Sequence, residues 1–164
     1  MKSKLEFFQA GSEVVRYHTI HTLQRETVGH HSHGVATICA ILEPECSGRL
    51  LYAALLHDLA EHQTGDLPSP AKRAYGIGEQ VSKLENDLLN SVGLSMPPLS
   101  PDEERALKLA DIAQGAMFCA REMSLGNANM RIVFDRYISY AEQLILVGRE
   151  RTLFRHIKEI ANVS

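Results

Sequence analysis

The absences in this chain narrow it first. Its three cysteines, Cys39, Cys46 and Cys119, are odd in number, stand at unrelated spacings and form no C-x-x-C pair. They make neither a disulfide frame nor a zinc ribbon and read as reduced thiols in a cytoplasmic chain. No stretch approaches ~18 uninterrupted apolar residues, so no membrane span or membrane partner is expected. The opening Met1-Lys2-Ser3-Lys4-Leu5-Glu6-Phe7-Phe8 is basic but has no long apolar run, which argues against a signal peptide. Period-two alternation is nowhere sustained, so the fold class is all-α. Positive charge is not in excess. A net charge of −3 and a pI near 6.2 argue against a nucleic-acid polymer as partner, although a small anionic ligand needs only a local basic pocket. No Walker A lysine loop, G-x-G-x-x-G or G-x-S-x-G is present, and no internal repeat or low-complexity segment is visible.

What remains is an ordinary globular composition. The 164 residues are 45 % apolar and 23 % charged, enough for one domain over 1–164 with a real core. Histidine is the exception, with seven of eight between His18 and His62. The densest stretch runs from Leu56 through His57, Asp58, Glu61, His62 and Asp66 to Pro70. The apolar approach from Leu50 to Leu56 predicts a buried helix, started by an N-cap at Ser47 and running to about His62. Leu51, Ala54, Leu55 and Asp58 follow at i, i+3, i+4 and i+7, which puts Asp58 on the leucine face. An ionised carboxylate there is costly unless a cation or strong donors meet it. Glu61 would project one turn further on.

Around that stretch the spacing predicts about six helices. Residues 3–10 form a short one, stopped at Gly11-Ser12. Val14 to Ile20 is irregular. A helix from about Thr27 or Gly29 to Leu42 carries His31, Val35, Ile38 and Leu42 on one stripe, and Pro44 ends it. Thr64 to Pro70 is a loop stiffened by two prolines. The next helix, Gly78 to Ser91, turns Val81, Leu84, Leu88 and Val92 to one side. Ser100-Pro101-Asp102-Glu103-Glu104 starts a helix with an N-cap, a first-position proline and first-turn acids. It runs to about Leu125, with Leu107, Asp111 and Phe118 on one stripe. A last helical region from about Asn129 to Ile160 bends near Gly148.

Three polar residues or pairs therefore sit on apolar helix faces: His31, His57-Asp58 and Asp111. Singly, each has an ordinary explanation as a hydrogen-bonded core histidine, a cap or an ion pair. Together, two imidazoles and two carboxylates from three helices suit a divalent transition ion. The zincin order is not met, because Glu61 and His62 fall at the wrong positions after His57.

The order His31, His57-Asp58, Asp111 resembles the HD-domain metal-dependent phosphohydrolases. The longer match is more specific: Val28-Gly29-His30-His31-Ser32, then His57 to Glu61, then Thr64 to Lys72, then Lys108 to Asp111, then Glu122 and Leu125-Gly126-Asn127. It is similar to the YfbR-like 5′-deoxynucleotidase branch, and more so to small phage members that include dATP triphosphohydrolases. The resemblance spans about residues 14–127 and implies an HD-domain helical bundle. It implies metal ligation by His31, His57, Asp58 and Asp111, with Glu61 as the water-activating carboxylate and Asp66 holding substrate or assisting proton transfer. Substrate contacts are implied for Arg16, Tyr17, Thr19, Ile20, Pro70 and Lys72. Two departures stand out: Tyr17 where tryptophan is usual, and His30 where glutamate usually precedes the first metal histidine. The implied cofactor is one divalent ion (Zn, Co or Mn), with a second Mg or Mn travelling with a triphosphate.

The implied reaction is attack at the α-phosphorus of a deoxynucleoside 5′-phosphate. A dNTP, dATP in particular, is the first substrate and a dNMP the alternative, in the cytoplasm (of the host, for a phage-encoded chain). A homo-oligomer, dimer or hexamer, is the expected assembly. Bland readings stand beside these: Arg16 and Lys72 as solvated charges, Glu61 as a helix-end carboxylate, Tyr17 as core packing, or the whole as a non-catalytic helical module with a structural metal. His18, His21, His30, His33 and His62 read as structural or supporting residues.

Overall fold

The computed structural model describes residues 1–162. Among them the chain forms nine α-helices: α1 Lys2–Ser12, α2 Val28–Leu42, α3 Gly48–Leu56, α4 Glu61–Thr64, α5 Ser69–Ala74, α6 Gly78–Ser91, α7 Pro101–Ser124, α8 Arg131–Gln143 and α9 Gly148–Ala161. The only β feature among the described residues is an isolated bridge between Val15 and Thr27. The all-α expectation holds. The count exceeds six because two expected helices are each cut in two and the proline loop folds into a turn of helix. None of these helices is long and apolar enough to cross a membrane.

Local chemistry sets the boundaries. Thr27 and Ser47 cap α2 and α3, accepting from the backbone N–H of His30 and Leu50. Ser100 and Glu103 form a reciprocal capping box at the head of α7, with Pro101 in the first turn. The axis of the molecule is α7. It is buried nearly all round by Ala106, Leu109, Ala110, Ile112, Ala113, Gly115, Ala116, Phe118, Cys119, Ala120 and Met123, and packs against α2, α3, α8 and α9. Its small residues let the neighbours approach closely; Gly115 lies where a Cβ would meet the Tyr137 ring at 2.4 Å.

The expected helix from Ser47 to His62 is broken. After His57 the bonds shorten to three-residue spacing, with Leu59 N–H donating to Leu56, Glu61 to Asp58 and Gln63 to Ala60. Tighter winding nearly eclipses residues three apart, so Asp58 and Glu61 stack toward one side. The buried face of α3 is also not the expected one. Leu50, Ala53, Ala54 and Leu56 are buried while Leu55 is exposed, so His57 rather than Asp58 continues the α3 core stripe. On α6, Val81 and Leu89 are buried and Leu84 is exposed.

Gly11 does not stop α1. It lies inside the helix, buried, where a Cβ would stand 2.3 Å from the carbonyl oxygen of Leu59. With Phe7, Leu56, Leu59, Ala60 and Leu89 it forms a small second core beneath the 57–60 turn. Ser69 and Pro70 open α5 rather than prolonging the loop. The C-terminal region bends before Gly148, where Ile145 and Gly148 both take positive φ between α8 and α9.

Candidate active site

His31 comes from the first turn of α2 and is wholly buried. Its Nδ1 meets the side-chain oxygen of Gln114 on α7 at 2.5 Å. The Gln114 amide group donates to Glu26 at 2.7 Å, which fixes which end of the amide faces the imidazole. A carbonyl oxygen can only accept, so His31 carries a proton on Nδ1, and in the neutral imidazole Nε2 is then the nitrogen with the free lone pair. His57, at the end of α3, has its Nδ1 2.9 Å from the Ala54 carbonyl, which imposes the same tautomer. The two bare Nε2 atoms face each other at 3.2 Å.

Two carboxylates join them. Asp58 Oδ2 lies 3.4 Å from His31 Nε2 and 3.3 Å from His57 Nε2, and Asp111 Oδ1 lies 3.3 Å from His31 Nε2. Lone pairs packed this closely repel unless a cation sits among them. Ligand atoms ~2.0–2.2 Å from one ion and ~90–110° apart lie about 2.8–3.6 Å from each other. The separations among His31, His57 and Asp58 fall in that range, whereas Asp111 approaches His31 but stands outside this three-residue group. His31, His57 and Asp58 thus form a divalent metal site by their donor chemistry, with the Asp111 carboxylate on the same nitrogen.

The remaining expected residues surround this cluster. Glu61 is buried, and its Oε2 has no protein partner. Burial, then the charges of Asp58 and Asp66, push its carboxyl up to about 9, against the pull of Arg16 and Lys72. Arg16 is not a solvated charge: it is buried, donates to Asp58 Oδ2 at 3.0 Å and stands 3.6 Å from Glu26. Tyr17 takes a left-handed φ of 58°, a strained choice for a non-glycine residue. Its backbone N–H donates to Asp66 at 3.1 Å, and its ring stacks on Phe118 at 5.0 Å. Its hydroxyl meets that of Tyr137 at 3.1 Å. Tyr17 therefore packs and lines the site at once.

Above the cluster opens a cleft of about 710 Å³ whose walls include Arg16, Tyr17, Thr19, Ile20, His57, Asp58, Glu61, Asp66, Pro70, Lys72 and Asp111. His31 lies behind this surface, at the base of the cluster. The walls also include Lys108, from the Lys108–Asp111 match, and five residues that carried no motif, Arg73, Glu85, Arg136, Tyr137 and Tyr140. Arg73 stacks on the Tyr140 ring and donates to its hydroxyl, and Lys108 stands 3.6 Å from Asp111. Burial raises the Glu85 carboxyl, with Lys72 opposing it and Asp58 adding to it. A third group holds the entry loop. Glu122, fully buried, accepts the backbone N–H groups of Leu23 and Gln24 at 2.6 and 2.8 Å and the Asn127 amide at 2.8 Å. His30 is exposed, so the outer nitrogen of His31 is served by Gln114 and not by residue 30. Gln114 lies one turn beyond Asp111, and that i+3 spacing was the one available signal for it.

The profile of the family described as 5′-deoxynucleotidase YfbR-like matches residues 8–145. No curated protein matches the chain. Two solved structures share its architecture. One is the Cyanophage S-2L HD phosphohydrolase (DatZ) bound to dA and one catalytic Zn²⁺ ion, at 19 % identity and a TM-score of 0.71, covering 94 % of this chain and 96 % of that one. The other is the PH0347 protein from Pyrococcus horikoshii OT3, at 19 % identity and a TM-score of 0.67 over 100 % of both chains. At that identity the likeness is one of fold. The family match spans most of the chain, and the chain belongs to the YfbR-like family: it is an HD-domain, metal-dependent phosphohydrolase acting on deoxynucleotides.

Proposed function

We propose that this YfbR-like phosphohydrolase hydrolyses the α-phosphate ester of deoxynucleoside triphosphates, dATP foremost, releasing the deoxynucleoside and triphosphate. One observation carries the choice of a triphosphate. Five cationic side chains, Arg16, Lys72, Arg73, Lys108 and Arg136, line one cleft beside five carboxyl groups, Asp58, Glu61, Asp66, Glu85 and Asp111, and a divalent ion held among those carboxylates would leave the cleft net positive. A polyanion longer than one phosphate is the ligand that such a concentration suits. The solved cyanophage enzyme of the same fold, whose bound ligands are dA and Zn²⁺, supports the same direction.

In this reading His31, His57, Asp58 and Asp111 hold one Zn²⁺, Co²⁺ or Mn²⁺. When bound, the ion lowers the pKa of water toward ~7 and polarises the phosphoryl group. Glu61 stands one tight turn past Asp58 with a free, buried carboxylate oxygen, and takes the proton of the attacking water. Burial, Asp58 and Asp66 raise the Glu61 carboxyl to about 9 against the pull of Arg16 and Lys72, and the positive charge of a bound divalent ion would add to that pull and favour the ionised base. Arg16 and Lys72 also neutralise the phosphoryl oxygens, Arg16 as a planar fork and Lys72 as a point charge. Water's oxygen joins the α-phosphorus, the bond to the 5′-oxygen breaks, and that oxygen leaves with the proton that Glu61 took from the water. Asp66 holds the Arg16–Tyr17 turn against this centre through the Tyr17 N–H.

A second reading has its own support. Arg73 is engaged by Tyr140 and Lys108 by Asp111, which leaves fewer free charges, closer to the need of a single phosphate on a dNMP. Product analysis separates the two. Purified protein with Zn²⁺, Co²⁺ or Mn²⁺ is incubated with each dNTP and dNMP and the products are resolved by chromatography. Deoxyadenosine with triphosphate from dATP supports the proposal. Nucleoside with phosphate from several dNMPs, with dNTPs intact, replaces it by the nucleotidase. No turnover with any metal removes both.

A further inference from the structure

We infer that Gln114, oriented by Glu26, is a positioning residue for the metal centre: it holds His31 in the one tautomer that leaves Nε2 free to ligate. The inference rests on the reading of His31 as a ligand and extends it to two residues outside the cleft motif.

The argument is one of proton accounting. An imidazole presents a lone pair at Nε2 only if its proton is on Nδ1, and free histidine has no such obligation. At His57 the nearby Ala54 carbonyl settles the matter within one helical turn. His31 makes no such Nδ1 bond within its own helical turn. Its Nδ1 is met instead by Gln114, 83 positions away. A glutamine amide alone could present either end, NH₂ or oxygen. With NH₂ toward Nδ1, the histidine proton would move to Nε2 and the ligand would be lost. Glu26 removes that choice. Its carboxylate accepts only, and at 2.7 Å it takes the amide N–H and leaves the oxygen for His31.

Two further features fit this role. Gly34, one turn past His31 on α2, lies where a Cβ would stand 2.7 Å from Gln114 Cγ. The missing side chain gives Gln114 its place. Glu26 also faces Arg16, which bonds Asp58 Oδ2, and that oxygen lies 3.4 Å from His31 Nε2. The chain of contacts His31–Gln114–Glu26–Arg16–Asp58 thus closes on itself. It ties two expected metal ligands to an expected phosphate-binding arginine.

The test begins on the unaltered protein. Long-range ¹H–¹⁵N NMR of imidazole-labelled, metal-free protein should show His31 protonated at Nδ1. A proton on Nε2 overturns the inference. Gln114→Leu, checked for fold by circular dichroism, should weaken Co²⁺ or Zn²⁺ binding in a chelator competition by about 10-fold or more. Exchanging the partners, Glu26→Gln with Gln114→Glu, keeps an acceptor toward His31 and a donor between the two. It should recover most of the metal affinity while leaving KM raised, because Arg16 has lost one of its two counter-charges and keeps only Asp58. Gln114→Leu binding metal within twofold of wild type, or an exchange that recovers nothing, overturns the assignment. Neither the NMR nor the metal titration uses a substrate, so a wrong substrate assignment leaves this test unaffected.

Discussion

The Nε2 atoms of His31 and His57 lie 3.2 Å apart with the Nδ1 of each ring committed to a carbonyl oxygen. Two neutral imidazoles so arranged cannot hydrogen-bond each other; they share a cation or they repel. Binding that cation should therefore stabilise the fold. At a free-ion concentration of 100 times Kd the gain is about 2.7 kcal/mol, or about 5–10 °C in Tm for a chain of this size. Thermal melts in chelator and then in Zn²⁺, Co²⁺ or Mn²⁺ measure it. Identical melting with every ion would remove the metal-site reading.

Glu61→Gln changes one atom of a buried, unpartnered carboxylate and no packing. Metal affinity and melting temperature in the loaded protein should stay near wild type, while turnover falls by about 10²–10⁴-fold as proton abstraction is lost. Substantial residual turnover would assign the base elsewhere.

Asp66 has two candidate tasks that one pair of variants separates. Asp66→Asn keeps an oxygen for the Tyr17 N–H and should preserve stability. Asp66→Ala releases the strained turn at Tyr17 and should cost about 1–3 kcal/mol with a raised KM. If Asp66 only holds the turn, Asp66→Asn retains kcat. A drop in kcat for Asp66→Asn gives it the proton-transfer role as well.

Gly11→Ala places a methyl 2.3 Å from the Leu59 carbonyl oxygen, which is backbone and cannot rotate away. Helix α1 must then lift from the turn that carries His57 and Asp58. Denaturant unfolding should show a loss of about 1–3 kcal/mol, typical of overpacking. An unchanged midpoint would show that α1 is not seated on that turn.

Far from the cleft, Glu103 contributes to the acid limb of stability. Hydrogen bonds from Arg49, then from the Ser100 N–H and the Ser47 hydroxyl, hold its carboxyl down at about 2. Its folded value is below its unfolded value of 4.5, so the folded state favours the ionised form. That contribution is complete above the unfolded value and is lost as pH falls through about 2. Glu103→Gln should melt earlier than wild type at pH 7, with the gap narrowing steadily below pH ~4. A constant gap across that range would exclude the linkage.

The sequence by itself determined the elements and the chemistry they carry. Apolar spacing and the caps at Ser47 and Ser100-Pro101 are readable within a turn or two of helix, because the forces that set them are equally local. So is the identity of a histidine or carboxylate standing on an apolar face, as at His31, His57-Asp58 and Asp111. Only the tertiary structure decided how those residues are held. The turn after His57 packs on α1 and α6 beneath it, a contact that no local spacing encodes. Asp66 reaches Tyr17 across 49 positions, Arg16 reaches Asp58 across 42, and Gln114 reaches Glu26 across 88. No periodicity encodes such pairs. They form because a buried polar group must find a partner wherever the packed core brings one, and distance along the chain has no part in that requirement.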